Sequence, residues 1–195
     1  MVGATAEWLL ALKISCMSKG IVVSDEAAAL LTEGGSKPMT IHEYATTGGV
    51  TLRAGDFFLN APFDDWYCDR AEALLELRDG VPHVTFGDHS EPFEVLPLPA
   101  YVDAVNARGE LVAATTMSHC DRIRVSPISG CTLDCAFCDL PALRYTRHSA
   151  EEMLASIDVA RQDVGLPAHH LLISGGAPGR APFDWFDETL AATIA

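Results

Sequence analysis

The sequence has 195 residues, 49% hydrophobic and 21% charged, which supplies enough apolar material for a core and too little charge for a disordered chain. That length suits one domain with an extension or two small domains. A formal net charge of −14 argues against a general phosphate-backbone binder, which needs clustered Lys and Arg. In chain order, residues 5–19 predict a helix, with Trp8, Leu9, Leu12 and Cys16 or Met17 on one face and Gly20 as its stop. A second helix starts at Ser24 as N-cap; Asp25 and Glu26 suit its dipole, and Gly34-Gly35 ends it. The period then shortens. Residues 40–46, 50–53 and 57–59 read as strands, separated by turns at Gly48-Gly49 and Ala54-Gly55-Asp56. Residues 64–78 read as a helix carrying Trp66, Ala71, Leu74, Leu75 and Leu77, closed by Gly80 and Pro82. Strands at 84–86 and 93–96 follow, then Pro97, Pro99 and a break at Arg108-Gly109.

Residues 1–110 therefore read as an α+β region, and no motif in it can be tied to chemistry. His42, Glu43, His83, Asp88 and His89 are too irregularly spaced for a metal set and read as surface or structural groups. The start of the chain has no basic segment before its apolar run, and the run from Trp8 to Ile14 falls far short of the ~20 apolar residues a membrane span needs. Six cysteines, three of them in one cluster, do not make a secreted disulfide framework, and a reducing cytoplasm fits best. Cys16 and Cys68 stand alone and read as ordinary buried thiols.

Residues 111–195 read as a second region. The run Arg122-Ile123-Arg124-Val125-Ser126 has β-branched residues at alternate positions and predicts a strand. Ser149-Ala150-Glu151-Glu152 is a capping box, opening a helix to about residue 163. One face of that helix carries Met153 or Leu154, Ile157, Ala160 and Val164, and Gly165 and Pro167 end it. His170-Leu171-Leu172-Ile173-Ser174 reads as a strand of the buried type, and residues 184–194 as a final amphipathic helix with Trp185, Phe186, Leu190 and Ile194. The order strand–loop–helix, twice over, implies a parallel pair joined by a right-handed crossover. In such architectures chemistry gathers in the loops beyond the strands' C-terminal ends.

Both candidate loops occupy that position. The first, Gly130-Cys131-Thr132-Leu133-Asp134-Cys135-Ala136-Phe137-Cys138, spaces three thiols so that they can curl round one metal centre. Thiolates are the soft ligands of iron–sulfur clusters. The same cysteines also allow a zinc site with Cys120 or His119 as fourth ligand, a ferredoxin-type cluster, or buried thiols with no ligand role. The second loop, Gly175-Gly176-Ala177-Pro178, lacks Cβ atoms at its first two positions and so lets a ligand approach the main chain closely.

Together these loops resemble the radical S-adenosylmethionine (SAM) superfamily. Its hallmarks are C-x3-C-x2-C with an aromatic residue before the last cysteine, here Phe137, and a Gly-Gly-Glu motif after the second strand. Ala177 stands where that family often has Glu. The resemblance implies that Cys131, Cys135 and Cys138 hold three irons of a [4Fe–4S] cluster and leave the fourth open to chelate SAM. It implies Phe137 near the SAM adenine, with Gly175, Gly176 and Ala177 around the methionine amino group. It also implies an electron donor such as flavodoxin or ferredoxin, reductive cleavage of SAM to a 5′-deoxyadenosyl radical, and hydrogen abstraction from a substrate the sequence does not name. The match spans about residues 122–195 and implies the first part of a (β/α) barrel, which in the family has six or more βα units where this sequence has two. The fold class expected is α/β, a partial barrel preceded by the α+β region. The expected alternatives are a non-catalytic zinc or iron–sulfur module, or an inactive truncated product.

Overall fold

The computed structural model describes residues 5–33, 49–63, 68–135, 140–166, 168–179 and 183–194. The expected strand at 40–46, the Gly34-Gly35 stop, Gly48, Trp66 and Pro167 lie outside them. The chain divides into two compact units, Met1–Leu98 and Pro99–Ala195. Among the described residues no helix is long and apolar enough to cross a membrane.

In the first unit, helix α1 (Ala6–Lys19) is capped by Thr5, whose hydroxyl accepts the Trp8 N–H, and stops where the Gly20 N–H closes onto the Cys16 carbonyl. Strand β1 (Ile21–Val23) follows, three β-branched residues too short for periodicity to reveal. Ser24 then accepts the Ala27 N–H and opens α2 (Asp25–Glu33). Beyond it come β2 (Val50–Ala54), β3 (Phe57–Ala61), β4 (Ala73–Arg78), β5 (Val81–Phe86), β6 (His89–Pro92) and β7 (Glu94–Leu96). They form a four-stranded sheet, β1-β4-β5-β6, and a three-stranded one, β3-β2-β7. Leu12, Cys16, Ile21, Leu52, Leu59 and Leu75 are fully buried between these elements. Burial raises the Cys16 thiol to about 12, so it stays protonated and inert, as an isolated core thiol should.

The helix expected over residues 64–78 is not formed in its described part, residues 68–78. Cys68–Arg70 make one 3₁₀ turn, and Ala73–Arg78 are strand β4. Ala-Leu-Leu-Glu-Leu-Arg has high helix propensity, yet β4 lies between β1 and β5, and that pairing overrides it. Ala73 and Leu75 face the core while Glu76 on the other face bonds Arg78 and Thr85. The decisive local signal is Asp79-Gly80. Both residues have positive φ, 53° and 77°, as a two-residue type I′ hairpin requires, and Arg78 pairs directly with Val81.

In the second unit, residues 99–110 pack as part of the same body. The Tyr101 hydroxyl donates to Ser118 Oγ, Asn106 Nδ2 donates to Ser156 Oγ, and the Asp163 carboxylate accepts the Ala100 N–H. The boundary expected at residue 110 thus falls within this packed segment. Strand β8 (Thr116–His119) turns through Cys120 and Asp121 into β9 (Arg122–Val125), which continues into β10 (Ile128–Ser129). After β11 (Thr146–Arg147), helix α3 (Ala150–Ala160) leads to β12 (His170–Ile173), and α4 (Phe183–Ile194) follows. β12 pairs with β9 in parallel, and β8 takes the other edge of β9 antiparallel, so this sheet is mixed. Among the described residues no barrel is closed.

α3 carries both halves of its capping box: Ser149 Oγ accepts the Glu152 N–H and the Glu152 carboxylate accepts the Ser149 N–H. The hydrogen bond from the Ser149 N–H holds the Glu152 carboxyl below the usual range. The helix ends at Ala160, short of the expected residue 163. It buries Met153, Ile157 and Ala160 against Val112, Ile123 and Val125, while Leu154 and Val164 are exposed. β12 is not the buried strand its apolar run suggested. It is an edge strand, paired among the described residues with β9 alone, and Leu171 is 45% and Leu172 36% exposed.

Ser149→Ala removes one half of the box and is expected to cost about 1 kcal/mol. Urea unfolding would read this as a lower midpoint at unchanged slope; an unshifted midpoint would show that the box contributes nothing to stability.

Candidate functional site

β9 and β12 are paired in register from Arg122↔His170 to Val125↔Ile173, so the segments after them leave from the same end of the sheet. The Ser174 N–H donates to the Val125 carbonyl and holds the second segment close to the first. After β9 the chain forms β10, which pairs antiparallel with β11, Ile128 opposite Arg147 and Ser129 opposite Thr146. The cysteine loop is thus the excursion between two short strands, pinched at its base. Gly130 opens it at φ +70°, and a Cβ there would lie 2.7 Å from the Leu143 carbonyl oxygen. No other residue fits.

Cys131 and Cys135 are half-buried, and the residues between them, Thr132, Leu133 and Asp134, are exposed. Cys131 Sγ accepts two backbone hydrogen bonds, from the Leu133 N–H at 3.4 Å and from the Ala177 N–H at 3.2 Å. The second crosses from the loop after β12 to the loop after β9. Gly176 lies closer still. A Cβ on it would sit 1.7 Å from the Gly130 carbonyl oxygen and 2.9 Å from Cys131 Cα. At Gly175 a Cβ would meet the Ile128 carbonyl oxygen at 2.8 Å and Ser126 Cβ at 3.6 Å. The Tyr145 hydroxyl donates to the Pro178 carbonyl at 2.7 Å and ties the far end of the glycine loop to the return limb of the cysteine loop.

The structure therefore brings together Cys131, Gly175, Gly176 and Ala177 of the residues singled out from sequence. Phe137 and Cys138 lie outside the described residues. Among the described residues no group of three or more His, Cys, Asp or Glu is gathered as a metal would require. The paired glycines were expected to admit a ligand to the main chain. On the side where an L side chain would project, Gly176 instead admits the backbone of the cysteine loop.

His119 and Cys120, the possible fourth zinc ligands, end β8 and turn into the start of β9. Cys131 lies beyond the other end of β9, where the Ala177 contact fixes it. His119 and Cys120 therefore stand at the opposite end of β9 from the cysteine loop.

Sequence reasoning missed a hydrogen-bonded support beneath the loop. Ser129 Oγ donates to the Ala114 carbonyl at 2.9 Å and lies 2.9 Å from His148 Nε2. Its single hydrogen is committed to Ala114, so His148 Nε2 carries the proton and donates. Burial holds the His148 imidazole below its ordinary range, against the opposing pull of Glu152 and Glu110. No local pattern signals this set, because its members come from three separated segments. A second feature is Ser126, 4% exposed, whose Oγ is buried without a hydrogen-bond partner among the described residues. An unpaired buried hydroxyl of this kind costs about 1–3 kcal/mol. It lies beside Gly175, at the C-terminal ends of both parallel strands.

No protein-family model, no curated protein and no solved structure matches this chain.

The His148 environment sets a pH dependence. Its folded pKa lies below the ordinary 6.5, so the unfolded chain binds this proton more readily. The contribution of neutral His148 is complete above 6.5 and is lost as pH falls through that value toward the folded pKa. Compared between about pH 5 and 7.5, wild type should lose stability relative to His148→Gln on acidification. A difference independent of pH would contradict the burial account.

Proposed function

We propose that the chain is a radical SAM enzyme, or the cluster-binding part of one, in which Cys131, Cys135 and Cys138 hold a [4Fe–4S] cluster. Residues 122 onward are, on this reading, the start of a (β/α) barrel. The observation that carries the proposal is the meeting of the two motif loops at the C-terminal end of the parallel pair β9–β12, with the Ala177 N–H directed at Cys131 Sγ. The two motifs are separated by a whole strand–helix unit in sequence, and the parallel pairing brings them together with the Ala177 N–H on the sulfur of the first cysteine.

The residues present fit the group. Two half-buried thiols stand on an open loop, and backbone N–H donors face the sulfur that would carry thiolate charge. The orphaned Ser126 hydroxyl beside Gly175 offers a polar partner to a ligand with amino or carboxylate groups. Bound together, the cluster and SAM supply one-electron reductive cleavage of a carbon–sulfur bond and, from it, hydrogen abstraction. The chain's own part is to hold the thiolates, to orient SAM along the backbone of residues 175–177, and to keep Gly130 and Gly176 in contact so that the two sites stay in register. A flavodoxin- or ferredoxin-type electron donor and a reducing cytoplasm belong to the same proposal, as does an unidentified substrate. The net charge of −14 gives no support to general nucleic-acid binding.

Anaerobic reconstitution of the full chain with iron and sulfide tests this reading. A brown chromophore whose spectrum changes on adding SAM is expected. A colourless zinc protein would favour a non-catalytic metal module instead. Alanine at Cys131, Cys135 or Cys138 should leave the cluster incomplete, because each corner needs its thiolate. Cys120→Ala should retain full iron content; losing it as completely as Cys135→Ala does would restore the four-ligand reading.

A further inference from the structure

Resting on that reading, we propose that the glycine loop after β12 is part of the metal cradle itself, a positioning segment that holds Cys131 in place to bind metal through backbone contacts alone. Three contacts from this one loop converge on β10 and the start of the cysteine loop. The Ala177 N–H donates to Cys131 Sγ at 3.2 Å. The Gly176 N–H is directed at the Ile128 carbonyl at 3.4 Å. Gly176 also packs so closely that a single added carbon would lie 1.7 Å from the Gly130 carbonyl oxygen. The donors to Cys131 Sγ thus come from two sources, one local at Leu133 and one across the sheet at Ala177.

A hydrogen bond to a metal-bound thiolate spreads its negative charge and fixes its direction. The donor lies on the loop after β12 and the ligand on the loop after β9. Metal uptake and seating of the glycine loop are therefore linked, and each strengthens the other by the same factor. On the side of the glycine loop the linkage uses only main-chain atoms, so the side chain at position 177 is free to vary while the N–H is not. The glycine at 176 has a different constraint, since the space beside its α-carbon is already occupied by the Gly130 peptide.

The test compares iron retention by the full-length wild type, Ala177→Glu, Ala177→Pro and Gly176→Ala after anaerobic reconstitution, against a ferrous chelator. Ala177→Glu keeps the N–H and should behave as wild type. Ala177→Pro removes it, and Gly176→Ala drives a methyl into the Gly130 carbonyl; both should hold iron about 10–100-fold more weakly, the usual effect of losing a ligand's outer partner. Ala177→Pro should also lower the midpoint potential, because the reduced, more negative sulfur has lost a donor. Hydrogen exchange in wild type covers the case in which these variants misfold: amides of residues 174–179 should exchange more slowly once iron and sulfide are bound. Equal retention in folded variants, or exchange unchanged by loading, overturns the proposal while leaving the cluster itself intact. A wild-type chain that takes up no iron overturns the functional reading and this proposal with it.

Discussion

Two backbones meet where Gly176 faces the Gly130 carbonyl, and the arrangement of the second unit can be followed outward from that contact. Loops leaving the same end of a parallel pair must pass one another, and at Gly176 they pass backbone against backbone. The contact needs Val125 and Ile173 in register, and that pairing needs a crossover long enough to bring β12 back beside β9. α3 supplies it. Its start is fixed by the Ser149–Glu152 box, and its inner face, Met153, Ile157 and Ala160, is held against Ile123 and Val125. A displacement of one residue in β12 would move Gly176 away from Gly130 and the Ala177 N–H away from Cys131.

The supports around the loop are polar and largely main-chain. β10 and β11 close its base, Gly130 lets the limbs approach, and the Ser129–His148–Ala114 set braces it from below. A loop built this way keeps Cys131 and Cys135 half-exposed while its base is held firmly. That suits the proposed site, which would admit a metal and a second ligand and then hold both. Cys16 is the contrast: a fully buried thiol raised to about 12, without the donors that would favour a thiolate.

Much of this was legible in the sequence where the signal is local. Gly20, Ser24 and the Ser149–Glu152 box announce helix ends that need no tertiary partner. β9 was visible from β-branched residues at alternate positions and β12 as a short apolar run. The failures come where distant chain decides. Ala73 to Arg78 favours a helix on its own and becomes a strand because β1 and β5 flank it, though Asp79-Gly80 carried the hairpin signal. Leu171 and Leu172 look like core but lie on an edge. The role of Gly176 could not be read at all, since the atom it makes room for belongs to residue 130. The same holds for His148 and Ser129, whose bond joins segments that share no pattern.

The most direct test of the central claim, that the two loops form one metal-and-ligand centre, is electron paramagnetic resonance of the reconstituted, reduced full chain with and without SAM. An open iron beside the glycine loop predicts a signal whose g-values shift when SAM is added. A signal of a reduced cluster that is identical in both samples would contradict the account, because it would mean that the iron has no open position for SAM to occupy.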